Sequence, residues 1–462
     1  MLSPLRASSG EMRALEYFHV RTAPAMGMYF DADFWNSFIV QVSVAEPALR
    51  HAVVALGVLA EQRELRDEVN ASDSREPHLA EESPTVMSTP TRITETDPVV
   101  LQSYNSSVGL LSKLASGPGT TDTVLLACIL FVCIEFLRGD TEGAIRHFKG
   151  GMAIITDYIS RAESAQPSRL MFDRVKNKML PFFNRLEVLY ALDGYDASWQ
   201  YHTTLSKTVP DAVSSLENAR DSLVDLLNLS LRFLRSMDLR MYEPSAAIPA
   251  SAFEEQTALL NSLSLWRQRT SAYQAKQSDF TSRDQYASNV LEIQRLVAYT
   301  WVSVATTPFE CAHDFHIPAY TAAVSLAENL PALARAHTQS ARHANAFTLD
   351  VELVGPIHWV AIKCREPTVR RRAIAVLRGM RRREAMWDSK MAAFIAERVV
   401  AIEEEGSGDD ESRLPREEAR VHYSHTDSWA GVAGDGFQIT HRLKTRGVWG
   451  EWVERAENFT LQ

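Results

Sequence analysis

The longest uninterrupted apolar run in the chain is Val124 to Ile134, VLLACILFVCI, eleven residues that end at Glu135. A membrane span needs about twenty such residues, so the run reads as a helix buried in a protein interior. It lies between the turn SGPGTTD (116–122), where Thr121 or Asp122 caps a helix, and Gly139-Asp140, where the helix stops. A helix that is apolar almost all round must be covered on every side. The chain therefore has to supply several partners for residues 122–137.

Those partners are legible as helical stripes. After Gly139-Asp140, the residues Ala144, Ile145, Phe148, Met152 and Ile155 recur at helical spacing, which predicts an antiparallel hairpin. Upstream, residues 31–42 place Phe34, Trp35, Phe38, Ile39 and Val42 on one stripe, with Asp31 or Asp33 as the cap. Glu46-Pro47 opens a helix through Leu49, Ala52, Val53, Leu56 and Leu59. From residue 99, Leu101, Tyr104, Val108 and Leu111 share a face. Further helical patterns run over 170–193, 213–239, 252–276, 283–305, 319–336, 348–364, 367–380 and 388–405. No alternation of strand and helix appears, which argues against a parallel-sheet nucleotide-binding fold. The expected class is all-α, a multi-helix bundle or stacked helical hairpins. Short C-terminal strands are expected in the partly alternating tail GFQITHRLKTRGVWGEW from residue 435 onward.

Two stretches fall outside this pattern. Residues 69–98 are rich in Ser, Thr, Glu and Pro and bury too little to offset their ordering entropy, so a flexible insertion is expected. Residues 405–417 read as a polar, acidic loop. The N-terminal stretch MLSPLRASSGEMRALEYF lacks the apolar core of a signal peptide. A formal net charge of -10 repels DNA and anionic membranes taken over the whole chain. No membrane association is expected.

The candidates for chemistry are few. The four cysteines, Cys128, Cys133, Cys311 and Cys364, show neither a disulfide framework nor a zinc spacing, which fits a reducing compartment. Cys128 and Cys133 are five apart with no further ligand nearby and read as small apolar core residues. His313-Asp314-Phe315-His316 resembles a fragment of a metal site, but Pro308 and Pro318 flank it and no third ligand is evident. The glycines of SGPGTTD form a turn, not a phosphate loop, because Lys113 precedes them. Glu254-Glu255 is a pair of the kind common on solvated helix faces. No catalytic residue, metal ligand or cofactor is assigned, and the chain is read as a non-enzyme. Two other readings stay open: a helical enzyme on a small metabolite, using His313 and His316 with carboxylates, and a helical scaffold.

The sharpest electrostatic feature is KCREPTVRRRAIAVLRGMRRRE (363–384), nine Lys/Arg against two Glu. Arg370, Arg371, Arg372, Arg378, Arg381, Arg382 and Arg383 form two clusters. One reading is a bipartite-like nuclear import signal or an anion-binding face. The other is a helix whose arginines pair with Glu403, Glu404, Glu405, Asp409, Asp410 and Glu411, with Ala373, Ile374, Val376 and Leu377 on a buried face.

The run YFHVRTAPAMGMYFDADFWNSFIVQVSVAEPALRHAVVALGVL (17–59) resembles the start of the fungal-specific transcription factor domain. The resemblance continues at LQSYNSSVGLLSKL (101–114), at LLACILFVCIEFLRGDTEGAIRHFKGGMAII (125–155) and across 352–406. It implies an all-helical regulatory domain, at residues 17–434, with 1–16 as an extension, 69–98 as an insertion and 435–462 as a tail. It further implies a nuclear regulator, of the kind that often controls metabolic or secondary-metabolite gene clusters. Such a regulator acts by binding protein partners of the transcription machinery or a small-molecule effector. The resemblance carries over no catalytic residue. One departure matters: the six closely spaced cysteines of the family's zinc-cluster module do not occur here, since the first cysteine is Cys128. The expectation is therefore no direct DNA binding by the family mechanism, whether through truncation, fragmentation or true loss. A zinc-cluster paralogue becomes a candidate partner.

Overall fold

A computed structural model of the protein describes residues 8–27, 29–73, 97–114, 120–164, 175–192, 209–241, 247–337, 347–349, 352–380, 382–405, 414–429, 436–444 and 450–460. Among these the architecture is helical, with two small three-stranded sheets. The helices divide between two apolar cores.

The first core gathers around the apolar run. Helices α1 (Ser9–Tyr17), α2 (Ala23–Gly27), α3 (Val40–Ala45), α4 (Pro47–Asp73) and α5 (Pro98–Leu114) precede α6 (Thr121–Arg138). Every residue of α6 from Leu125 to Leu137 is buried. Each large apolar side chain so enclosed contributes about 1.5–3 kcal/mol. That term outweighs the cost of including Glu135, whose burial is relieved by Arg138 at 2.8 Å. Gly139 ends α6 in the left-handed conformation, φ 78°, which a glycine adopts without steric cost. Asp140 then accepts the Gly143 N–H at 2.8 Å and starts α7 (Thr141–Ser164), completing the expected hairpin. Pro47 begins α4 as expected. Residues 69–73 of the expected insertion continue α4, and 74–96 lie outside the described residues.

The capping expectation at residues 31–33 does not hold. Asp33 makes no cap hydrogen bond to the π-helical turn Phe34–Ile39. Asp31 is buried and turned toward two distant arginines instead. A cap is worth about 1 kcal/mol, and a carboxylate facing two guanidinium groups in the interior has more to gain.

The second core is built by α9 (Leu216–Met241), α10 (Ala250–Gln274), α11 (Ser282–Val304), α12 (Ile317–His337), α13 (Val354–Lys363), α14 (Pro367–Met380) and α15 (Ser389–Glu404). Helix α8 (Leu180–Leu192) joins the two cores. Its Leu186, Leu189 and Tyr190 face the first, and its Val188 and Ala191 face the second. A helix apolar on opposite sides can bind both bodies at once.

The small sheet pairs β1 (Phe347–Thr348) in parallel with β2 (Arg383–Glu384), which pairs antiparallel with β3 (Trp387–Asp388). It reaches back to the first core through Phe347, Leu349 and Ala385. The C-terminal sheet is an antiparallel meander of β4 (Val421–Trp429), β5 (Gly436–Lys444) and β6 (Trp452–Thr460). Its last two strands are those expected in the tail. One face packs on α15, where Phe394 meets Phe437 and Phe459 with ring centroids 6.1 and 4.9 Å apart. Among the described residues no helix is long and apolar enough to cross a membrane.

Candidate functional site

The basic segment folds as α13, α14 and β2, and its arginines separate by depth. Arg370 is fully buried and donates to Glu403 Oε2 at 2.7 Å. Arg371 meets Glu404 at 2.9 Å, Arg372 meets Glu328 at 2.6 Å and Arg378 meets Glu397 at 2.6 Å, all on the surface side of α14. Arg382 is nearly buried between Glu352 and Glu384 and also donates to the Tyr286 hydroxyl at 3.2 Å. Arg383 donates to the carbonyl oxygens of Ala385 and Phe136, at 2.9 and 3.1 Å. Arg381, like Asp409, Asp410 and Glu411, lies outside the described residues. Glu405 pairs with Arg455 of β6 rather than with an arginine of the segment.

Beneath β4 these contacts extend into a buried charge network. Arg365 donates to Glu403 and lies 2.9 Å from Glu310, and Lys363 binds Glu310 at 2.8 Å. Lys363 also donates to the His422 carbonyl, and Glu403 accepts the Val421 N–H, each at 2.8–2.9 Å. Burial by itself would raise the carboxyl pKa of Glu310 and Glu403. Lys363 and Arg365 hold Glu310 below the usual carboxylate range, and Arg365 with Arg370 does the same for Glu403. The network fastens the C-terminal sheet to α13, α14 and α15.

A second cluster sits where the two cores meet. Asp31 accepts from Arg185 at 2.9 Å and from Arg220 at 3.0 Å. Arg185 lies over the Phe182 ring at 4.1 Å and Arg220 over the Phe30 ring at 4.8 Å. Across from them Gln294 donates to the Glu352 carbonyl. Glu384 accepts the backbone N–H groups of Glu352, Leu353 and Val354 at 3.0–3.1 Å, which serves the start of α13. Burial raises the Glu352 carboxyl despite the pull of Arg382. Phe30, Val188, Val224, Leu227, Val290 and Leu291 close the space between these groups. The cavity offers about 20 Å³ to the centre of a water molecule, room for roughly one water. Its polar groups are opposed in sign. The arrangement is a charge junction between helices and not a ready pocket for a metabolite.

The histidines of 313–316 do not converge on a metal site. His313 is buried, with Nδ1 2.7 Å from the Tyr320 hydroxyl and its ring edge-on to Trp359. Burial lowers its pKa well below the ordinary imidazole value, so it is neutral. His316 is half-buried on the next turn. Among the described residues no group of three or more His, Cys, Asp or Glu is placed to hold a metal ion. Cys128 and Cys133 are buried in the first core, and burial pushes the Cys128 thiol up to about 12.

Sequence reasoning singled out neither Asp31, Arg185, Arg220, Glu352 nor Glu310 as members of a cluster. A signal was present for one of them: Arg185 interrupts the apolar stripe LPFFNRLEVLYAL. A charge on a core-facing helical position needs a buried partner. The partner itself cannot be read from the spacing.

The family model described as fungal specific transcription factor domain matches residues 13–305. The chain is 22% identical over 498 aligned residues to a protein of Emericella nidulans (strain FGSC A4) named aspercryptin biosynthesis cluster-specific transcription regulator atnN. That alignment covers 89% of this chain and 77% of the relative. It is 29% identical over 125 residues to transcription regulator lscL of Purpureocillium lilacinum, covering 27% of this chain and 26% of that protein. No solved structure matches it.

Proposed function

Because the chain belongs to the fungal-specific transcription factor domain family, we propose that it regulates transcription of a biosynthetic gene cluster from the nucleus, by contacts of its helical body and not by catalysis. The alignment over 89% of the chain with a relative named as a cluster-specific transcription regulator carries this reading. It is supported by the way the polar clusters are used. The buried carboxylates and arginines described above neutralise one another and fasten elements together. The four cysteines of this sequence, Cys128, Cys133, Cys311 and Cys364, are too few for a six-thiolate zinc cluster. For DNA contact we propose a partner, a zinc-cluster paralogue.

The test is genetic. Deleting and overexpressing the gene, with transcripts measured genome-wide, should move a contiguous set of biosynthetic genes together. Unchanged transcripts across every such cluster in both strains would sink the proposal. Localisation is tested with a tagged chain beside the variant Arg371→Ala/Arg372→Ala/Arg378→Ala, which spares the buried Arg370, Arg382 and Arg383. Loss of nuclear signal from the folded variant is the outcome expected if the surface of α14 serves import. A parent chain held in the cytoplasm under all growth conditions contradicts nuclear action.

A further inference from the structure

The C-terminal sheet lies beyond the matched family region, and its last strand is an open edge among the described residues. Strand β6, Trp452–Thr460, is bonded to β5 on one side, and among the described residues no strand pairs with its outer edge. Its nine-residue ladder with β5 runs without a shift, whereas the other edge strand, β4, carries an irregularity between Val421 and Tyr423. Natural sheets protect open edges with charged side chains, above all lysine, with inward-pointing charges, proline or bulges, or with short strands; the charges of β6, Glu454, Arg455 and Glu457, are of both signs and can be matched by a second copy. The segment WVERAENFT has no lysine or proline and no bulge, and it leaves Trp452 and Val453 more than a third exposed.

We propose that the outer edge of β6 pairs antiparallel with β6 of a second copy of this chain, about a two-fold axis at Ala456, forming a continuous six-stranded sheet. In that register Arg455 faces Glu457 of the other copy, twice by symmetry. Val453 faces Phe459, Glu454 faces Asn458, and all nine residues find a partner. A two-fold axis normal to the sheet requires opposed residues to lie on the same face, so the register can shift only in steps of two residues. One step one way sets Arg455 against Arg455, and one step the other way sets Glu457 against Glu457. Like charges directly opposite are destabilising, so the neighbouring registers are disfavoured by the same residues that favour this one.

The flanking charges agree. Arg455 and Glu457 lie on the face that packs on α15, where Glu405 binds Arg455 at 2.7 Å and Arg398 binds Glu457 at 2.7 Å. Across the axis the row would read Glu405, Arg455, then Glu457 and Arg398 of the second copy, alternating in sign throughout. Val453 would add to the Phe437–Phe459 stack, whose centroids are 5.2 Å apart.

Sedimentation equilibrium of the full chain tests this, alongside two variants at the exposed Ala456. The parent should show a concentration-dependent species of twice 51.8 kDa. Ala456→Lys sets two ammonium groups opposite each other on the solvent face and should weaken the dimer roughly twofold to fivefold, with an unchanged melting temperature at concentrations where both proteins are monomeric. Ala456→Cys in a Cys311→Ser background should form a disulfide-linked dimer under mild oxidation. Self-opposed residues lie about 4.5–5.5 Å apart between Cα atoms, within disulfide reach. The Cys311→Ser chain without the added cysteine should not cross-link. A parent that stays monomeric at its highest soluble concentration overturns the proposal and leaves the edge to a strand from another protein. A dimer untouched by Ala456→Lys, or one that fails to cross-link through Ala456→Cys, also overturns it.

Discussion

Arg365 donates to Glu403 from two nitrogens, Nε at 3.2 Å and Nη2 at 2.9 Å, and neither side chain is exposed to solvent. Glu403 also receives Arg370 and the Val421 N–H. One carboxylate thus compensates two buried guanidinium groups and the first residue of the C-terminal sheet.

Removing that carboxylate should therefore be costly. Glu403→Ala is expected to destabilise the fold by about 3–5 kcal/mol, because it strands buried positive charge. Arg371→Ala, on an exposed partner pair of the same helices, should cost no more than about 1 kcal/mol. Urea unfolding followed by circular dichroism measures both. Equal losses would show that the buried network is not what holds the sheet to α14 and α15.

The second prediction concerns backbone approach. A Cβ built on Gly57 of α4 would lie 2.4 Å from the Ala14 carbonyl oxygen of α1. A backbone atom cannot swing aside as a side chain can. Gly57→Ala should cost about 1–3 kcal/mol, and hydrogen exchange should rise first in α1. Gly109, on the open side of α5, has nothing within 4 Å of its built Cβ. Substituting it by Ala should be neutral or stabilising by up to about 1 kcal/mol. The same response at both positions would count against the close packing of α1 on α4.

The third concerns pH. His358 is buried, its Nδ1 is 2.9 Å from the Ala392 carbonyl, and burial lowers its pKa to about 4. In the unfolded chain the same imidazole titrates near 6.5. Between those values the unfolded state binds the proton and the native state does not, so stability is lost as pH falls from about 6.5 toward 4. His358→Gln keeps a donor and removes the titration. Relative to that variant, the parent should lose about 2 kcal/mol on going from pH 7 to pH 5. Parallel stability curves for the two proteins across that range would mean His358 is not held neutral.

Much of the fold was readable because it is decided locally. The helix of residues 121–138 follows from the run Val124–Ile134. Its end follows from Gly139, whose left-handed φ costs a glycine nothing, and the return follows from the cap at Asp140. The patterns at 213–239, 283–305 and 367–380 correspond within a few residues to Leu216–Met241, Ser282–Val304 and Pro367–Met380. The first strand of the C-terminal sheet, Val421–Trp429, was not readable. Its segment VHYSHTDSW has little apolar alternation, and it is a strand because β5 and the Arg365–Glu403 network hold it.

The sequence by itself thus determined the helical class and the central position of residues 122–137, since apolar period, caps and turns act over a few residues, while the regulatory family came from its resemblance to a known domain. Only the tertiary structure decided the fate of the charges. Asp31 was free to cap its own helix but instead meets Arg185 and Arg220, 154 and 189 residues away. Within one arginine cluster, Arg370 is buried and Arg371 faces solvent. A charge enters the interior only where an opposite charge is brought to it, and which residue arrives is set by the packing of whole helices.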